Sequence, residues 1–202
     1  METASTLSQE PKRVDETYLT MRYIARFVES RLDNLKDYKK EIPHIEVYID
    51  REKNPIGAFI EALKMAGDDA CVQMEDDCIL TSDFDRKINE EVAKHPDSVI
   101  QFFSMRSKDL TVGSRWDNRY IMGQCTYYPK GKAKELTYYF KGSFWDKHQY
   151  EINGLDILVD DFLKYNREKY WICVPNLVDH IVQKSTIDPK RSQNRVSKTF
   201  IK

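Results

Sequence analysis

A chain of 202 residues with 41% hydrophobic and 32% charged side chains is long enough to bury one core and short for two. A formal net charge of −1 excludes a global attraction to nucleic acid or anionic lipid. No apolar run reaches the length of a membrane span and the polar opening METASTLSQEPKR lacks the apolar stretch of a signal peptide, so the expected location is the cytoplasm, with no membrane partner.

Residues 1–13 read as a disordered N-terminus, 14–187 as one domain and 188–202 as a basic tail. Thr17–Met21 is rich in β-formers and predicts the first strand. In Tyr23–Lys40, Ile24, Phe27, Val28, Leu32 and Leu35 recur at steps of three and four, which predicts a helix ended by Pro43. His44–Asp50 alternates as a second strand, and Asn54-Pro55 opens a helix over Ile56–Ala66 that Gly67 stops. An apolar strand then runs over 70–77 into Glu75, Asp76 and Asp77. Ser82 or Asp83 caps a helix reaching His95, Pro96 breaks it, and Ser98–Met105 predicts a further strand. Four strands separated by three helices imply an α/β sandwich with a mainly parallel sheet. Beyond it, 106–118 reads as irregular, 119–128 and 170–174 as strands, and about 130–140 and 155–166 as helices. Cys71, Cys78, Cys125 and Cys173 show no CxxC spacing and read as reduced thiols rather than a zinc site or a disulfide frame.

Three adjacent carboxylates at a strand end repel one another unless positive charge sits among them, which asks for a hard divalent cation, Mg²⁺ or Mn²⁺. A solvated acidic turn is the plainer alternative. Ligands of open α/β sheets sit at the carboxyl ends of strands, so the first two strand ends, Met21-Arg22 and Asp50, are candidates for nucleotide contact. Arg22 reaches a diphosphate or base on that reading; otherwise Arg22 and Arg26 face solvent on the first helix. Lys184, Ser185 and Thr186 are candidate phosphate ligands, with Arg115 a further one.

The segment MEDDCILTSDF (74–84) resembles the metal-binding DxD region of GT-A glycosyltransferases, especially the lipopolysaccharide/collagen-type galactosyltransferases and the branching N-acetylglucosaminyltransferases. VPNLVDHIVQKST (174–186) resembles the segment in those enzymes whose histidine completes the metal site, with Asn176 in place of a serine and Asp179 in place of a glutamine. GQCTYYPKGKAKEL (123–136) resembles the glycine-led strand and helix beside the sugar pocket, and GLDILVDDFL (154–163) the acidic helix start facing the acceptor.

The resemblance implies a GT-A, Rossmann-like sheet flanked by helices with a small antiparallel acceptor-side portion. It implies Asp77 and His180 as metal ligands and Glu75 and Asp76 at the ribose or the metal's waters. It also implies Gly123 and Gln124 beside the sugar, and Asp156 as the base, with Asp160 and Asp161 as substitutes. A core histidine is the alternative for His180, and helix capping the alternative for the acids. The implied activity is metal-dependent transfer from a nucleoside-diphosphate sugar, UDP favoured, to an acceptor hydroxyl, with inversion. Neither an obligate protein partner nor the acceptor is evident. The tail after Pro189 carries five Lys/Arg and no acid, which suits closure over a diphosphate or contact with a nucleic-acid backbone. Tyr127, Tyr128, Tyr138, Tyr139, Phe144 and Trp145 could stack on a sugar or a flipped base, or fill the core. A hydroxylated DNA base and a glycan precursor both stand as acceptors. The contrasting readings are a silent GT-A-like binding module or a nucleotidyltransferase, though YLTMRYIARF offers the latter no phosphate loop.

Overall fold

The computed structural model describes residues 21–144, 154–183 and 194–202. Its first strand, β1 (Arg22–Val28), is buried from Tyr23 to Phe27, Arg26 included. This corrects the helix expected over Tyr23–Lys40. A strand covered on both faces is apolar at nearly every position, so Ile24, Phe27 and Val28 satisfy helical spacing by default. Helical backbone starts later, as a 3-10 segment over Glu29–Asn34 that runs into α1 (Leu35–Glu41). Of the strand expected at Thr17–Met21, residues 17–20 lie outside the described residues and Met21 precedes β1 without joining it.

After β2 (Glu46–Asp50), α2 (Pro55–Ala66) begins as the sequence suggests, with Pro55 in the first turn and the Asn54 side chain accepting from Gly57 N at 2.9 Å. β3 (Cys71–Glu75) ends at the acidic turn, and the chain resumes as β4 (Cys78–Leu80) before α3 (Phe84–Lys94). The strand expected over Ser98–Met105 shrinks to β5 (Ile100–Gln101), because at Phe102 one side of the ladder changes: the N–H still donates to Cys125 O, but the carbonyl accepts from Leu177 and Val178, where the last described strand begins. The segment expected to be irregular holds α4 (Asp109–Val112) and β6 (Arg115–Asp117). β7 (Cys125–Tyr128) and α5 (Lys132–Tyr139) follow, the latter continuing as a π-turn over Phe140–Phe144. α6 (Leu155–Tyr165), β8 (Tyr170–Ile172) and β9 (Val178–His180) complete the described elements.

The central sheet has seven strands in the order β2-β1-β3-β7-β5-β8-β6. β1, β2, β3, β5 and β8 share one direction, while β6 and β7 run against them. Alternate side chains of β1 serve two cores. Tyr23, Ala25 and Phe27 pack with Tyr38 of α1 and Phe84 and Ile88 of α3, and Ile24 packs with Phe59 and Leu63 of α2, Leu136 of α5 and Leu158 of α6. A separate two-stranded antiparallel sheet pairs β4 with β9. This is the α/β, mainly parallel, helix-flanked architecture with a small antiparallel portion that the GT-A resemblance implies. The four cysteines are free, buried thiols.

Candidate active site

β1, β2 and β3 end along one edge of the sheet, and β7, being reversed, begins there. A cavity of about 430 Å³ opens at this edge, where strand carboxyl ends gather ligands. Its walls carry five acids, Asp50, Glu75, Asp76, Asp77 and Asp156, and four cationic side chains, Arg26, Arg31, Lys53 and Arg195, with Gln124 among them.

The acidic turn is held by the segment that follows β1. Arg31, Asn34 and Tyr38 are three and four residues apart and so share a face of the continuous 3-10 and α-helical stretch. Arg31 Nη1 donates to Asp76 Oδ1 at 2.6 Å and Asp77 Oδ2 at 2.9 Å. Asn34 Nδ2 donates to Asp76 O at 2.9 Å. The Tyr38 hydroxyl donates to Glu75 O and accepts from Cys78 N at 2.7 Å. Val28 N, at the end of β1, donates to Asp76 Oδ2 at 2.9 Å.

The small sheet fixes His180 beside Asp77. Ile181 N donates to Asp77 O at 2.7 Å, making Cys78 and His180 directly opposed partners, and His180 Nε2 lies 3.1 Å from Asp77 Oδ2. Arg195 Nη2 stands 3.0 Å from the same nitrogen. Nε2 thus lies between an acceptor, Asp77 Oδ2, and a donor, Arg195 Nη2, and the tautomer decides which of the two it engages. Asp77 Oδ1 and His180 Nδ1 are buried and have no hydrogen-bond partner among the described residues.

Burial pushes these acids up, and their partners decide the outcome. For Asp77, burial is outweighed by the hydrogen bond and charge of His180 and by Arg31 and Arg195, so its carboxyl is held below its ordinary value. Asp76 stays raised by burial despite Val28 N–H and Arg31. Glu75 is pushed up to about 7 by burial and then by Asp77, with Arg26 opposing. Although 31% of its side-chain surface is open, that surface faces the cavity.

Asp156, in the first turn of α6, lines the cavity, and its Oδ1 accepts from Gly123 N at 2.8 Å. A Cβ at position 123 would stand 3.1 Å from that oxygen and 3.3 Å from the Tyr120 hydroxyl, so glycine permits the approach. Asp160 and Asp161 are not brought to the cavity. Asp160 accepts from Tyr120 N at 2.7 Å and pairs with Lys164, and Asp161 accepts from the Tyr139 hydroxyl at 2.5 Å.

Met21 and Arg22 are not brought there either, because β1 begins where it was expected to end. Arg22 lies in register with Cys71, at the far edge, and bonds Glu46 and the Met65 carbonyl. Asp50 is at the cavity, with Oδ1 accepting from Asn54 N at 3.1 Å. Arg115 pairs with Asp109 at 2.7 Å and does not line the cavity. Lys184, Ser185 and Thr186 lie outside the described residues, as does Trp145. Tyr127, Tyr128 and Tyr139 are core side chains, and Tyr138 is exposed.

Arg31, Lys53 and Arg195 were not singled out as site residues by sequence reasoning, and Arg26 was read on a helix. The available signal for Arg26 is an arginine inside the otherwise apolar run YIARFV; its guanidinium lies 4.9 Å from the Phe59 ring centroid and 3.7 Å from Glu75.

Among the described residues no cluster of three or more His, Cys, Asp or Glu is poised to cage a metal. Mg²⁺ and Mn²⁺ sites, however, commonly use one or two protein ligands completed by phosphate and water. Neighbouring ligands on such an ion stand about 3 Å apart, for bonds of about 2.1 Å. Asp77 Oδ2 and His180 Nε2 match that spacing at 3.1 Å, and the residues present fit a substrate-completed divalent site.

Residues 29–154, more than half of the chain, match the family model described as Glycosyl transferase family 2. No curated protein matches. Among solved structures, the chain is similar to A197 from STIV, at 12% identity and a TM-score of 0.49 over 85% of this chain and 91% of that one. It is also similar to a Bacillus anthracis protein assigned as a glucose-1-phosphate thymidylyltransferase, in complex with a sucrose. That likeness has 13% identity and a TM-score of 0.43 over 75% of this chain and 88% of that one. No helix among the described residues is long and apolar enough to cross a membrane.

Proposed function

The chain belongs to glycosyl transferase family 2, a family of GT-A glycosyltransferases, and from that premise we propose that the cavity takes a nucleoside-diphosphate sugar, UDP-linked by preference, and transfers the sugar to an acceptor hydroxyl. The observation that carries this reading is the meeting, in one cavity at the carboxyl edge, of the acidic turn and Asp156 on a separate helix. Asp77 and His180 hold a divalent cation, Mn²⁺ or Mg²⁺, which when bound neutralises charge developing on the leaving diphosphate. Asp50 accepts from a base N–H, Glu75 and Asp76 serve the ribose or the cation's waters, and Gly123 and Gln124 border the sugar.

Asp156 performs the proton transfer. The acceptor oxygen gives its proton to the carboxylate and bonds to the anomeric carbon, while the bond from that carbon to the diphosphate oxygen breaks and its electron pair leaves with the diphosphate. The Gly123 N–H fixes one carboxylate oxygen, and no hydrogen bond among the described residues engages the other. Attack opposite the leaving group inverts the anomeric centre. For the acceptor, the basic residues after Pro189 support a hydroxylated base in DNA, with a glycan precursor as the other acceptor, and incubation of labelled nucleotide sugars with both pools separates them.

Calorimetry with UDP and GDP, with and without Mn²⁺, tests the donor and cation together. Tight UDP binding that needs Mn²⁺ is expected. Absence of metal-dependent nucleotide binding refutes the donor site, and binding that survives Asp77→Ala combined with His180→Ala refutes the assigned ligands.

A further inference from the structure

We propose that Arg195 is a phosphate-binding residue of the donor site, delivered by a C-terminal strap that the body of the protein is built to hold; this rests on the nucleotide-sugar reading above. The strap, residues 194–202, is docked by specific bonds. Ser197 N donates to Asp179 Oδ1 at 2.7 Å and Ser197 Oγ donates to Asn176 Oδ1 at 2.7 Å. Asn176 N donates to Thr199 Oγ1 at 3.2 Å, and Thr81 Oγ1 donates to Ile201 O at 2.8 Å. Ser197 Oγ also accepts from Thr199 N and Phe200 N, which folds the strap on itself.

Asn176 and Asp179 are the two positions at which 174–186 departs from the pattern it resembles. Both departures place a side-chain oxygen where the strap needs an acceptor. Asn176 is 1% exposed, and its Oδ1 also accepts from Ser104 N at 3.1 Å, so the strap's anchor is itself tied into the core.

The strap thereby brings Arg195 to the cavity wall, with Nη2 at His180 Nε2. Among the described residues its buried Nε has no hydrogen-bond partner and no carboxylate bonds the guanidinium. A buried N–H of a charged group left unbonded is costly, so the position calls for an acceptor brought by a ligand. The planar fork of arginine matches two phosphate oxygens, and a diphosphate lying beside Asp77 and His180 puts such oxygens next to it. Arg195 therefore contributes charge to the donor site that Arg26 and Arg31, already engaged with the acidic turn, do not supply alone.

The test compares UDP with uridine, the same base and ribose without phosphate, on the full chain in Mn²⁺. UDP is measured by calorimetry and uridine by saturation-transfer NMR. Arg195→Met is expected to weaken UDP by about 10- to 100-fold, the range for a lost charge-assisted contact, and to leave uridine unchanged. Ser197→Ala, which loosens the strap with Arg195 intact, is expected to weaken UDP by a smaller factor. If Arg195→Met does not fold, Arg195→Gln, which keeps a polar side chain without the charge, is read the same way. Unchanged UDP affinity in the variant while wild type binds UDP overturns the role of Arg195 alone, as does equal loss of UDP and uridine. Wild type that binds no nucleoside diphosphate overturns the donor reading, and this inference with it.

Discussion

Replacing Tyr38 by phenylalanine removes one oxygen from the centre of the acidic turn and nothing else. The ring is 1% exposed and packs edge-on against Phe27 at 5.3 Å, contacts a phenylalanine keeps. The hydroxyl joins the two ends of the turn, donating to Glu75 O and accepting from Cys78 N at 2.7 Å. Cys78 N has no substitute partner across the small sheet, because the ladder bond there runs from Ile181 N to Asp77 O. The loss is therefore one hydrogen bond of about 1 kcal/mol plus a stranded buried N–H at about 1–3 kcal/mol, together about 2–4 kcal/mol. For a chain of this size that lowers Tm by roughly 5–15 °C. Urea unfolding should show a lower midpoint at unchanged slope, and Mn²⁺-dependent UDP binding should weaken as the turn loosens. A change below about 0.5 kcal/mol would mean that the hydroxyl does not brace the turn, and would refute the reasoning.

Asp156→Asn keeps the side-chain shape and the oxygen facing Gly123 N while removing the base, so transfer should fall by about 10²–10⁴-fold with UDP affinity unchanged; equal turnover eliminates Asp156 as the base. Gly123→Ala pushes a methyl toward Asp156 Oδ1, 3.1 Å from the Cβ position, and should lower kcat by at least about 10-fold while leaving nucleotide affinity within about 2-fold. Wild-type turnover in that variant refutes the claim that the close approach matters. Asp117 offers a pH test remote from the site. Burial raises its carboxyl, but Lys108, the Arg119 and Asn118 N–H groups and Arg106 together hold it at about 2. A folded value below the unfolded one stabilises the fold above pH ~4, and that contribution is lost as pH falls through about 2. Asp117→Asn should cost on the order of 2 kcal/mol at pH 7, with the gap to wild type closing between pH 4 and 2 in urea titrations; equal stability at pH 7 refutes it.

Local sequence carried some of these features and not others. The strand through Val72 and Met74 and the turn after it are legible because an apolar run meets charge abruptly, and α2 because Asn54 and Pro55 mark its start. β1 satisfies helical spacing because burial on both sides erases the alternation that marks a strand, and the shift puts Arg22 at the start of β1, away from the cavity that Arg26 lines. Asp50, the acidic turn and Asp156 could be placed from element ends, and Gln124 from the resemblance of its segment. Arg31 lies in a 3-10 segment and Arg195 in the tail, and both reach the cavity through tertiary docking that no local pattern encodes.

The four buried thiols give the fold an internal clock. Burial raises each of them, Cys71 to about 12 and Cys78, Cys125 and Cys173 upward as well, so alkylating reagents meet almost no thiolate while the chain is closed. Labelling then proceeds only as fast as each thiol's surroundings open. Cys78 follows directly on the acidic turn and Cys71 begins β3, the central strand that leads into it, so the ratio of their labelling rates distinguishes opening of the cavity rim from unravelling of the sheet. A bound donor that braces the rim would slow Cys78 more than Cys71, reporting occupancy without following any sugar at all.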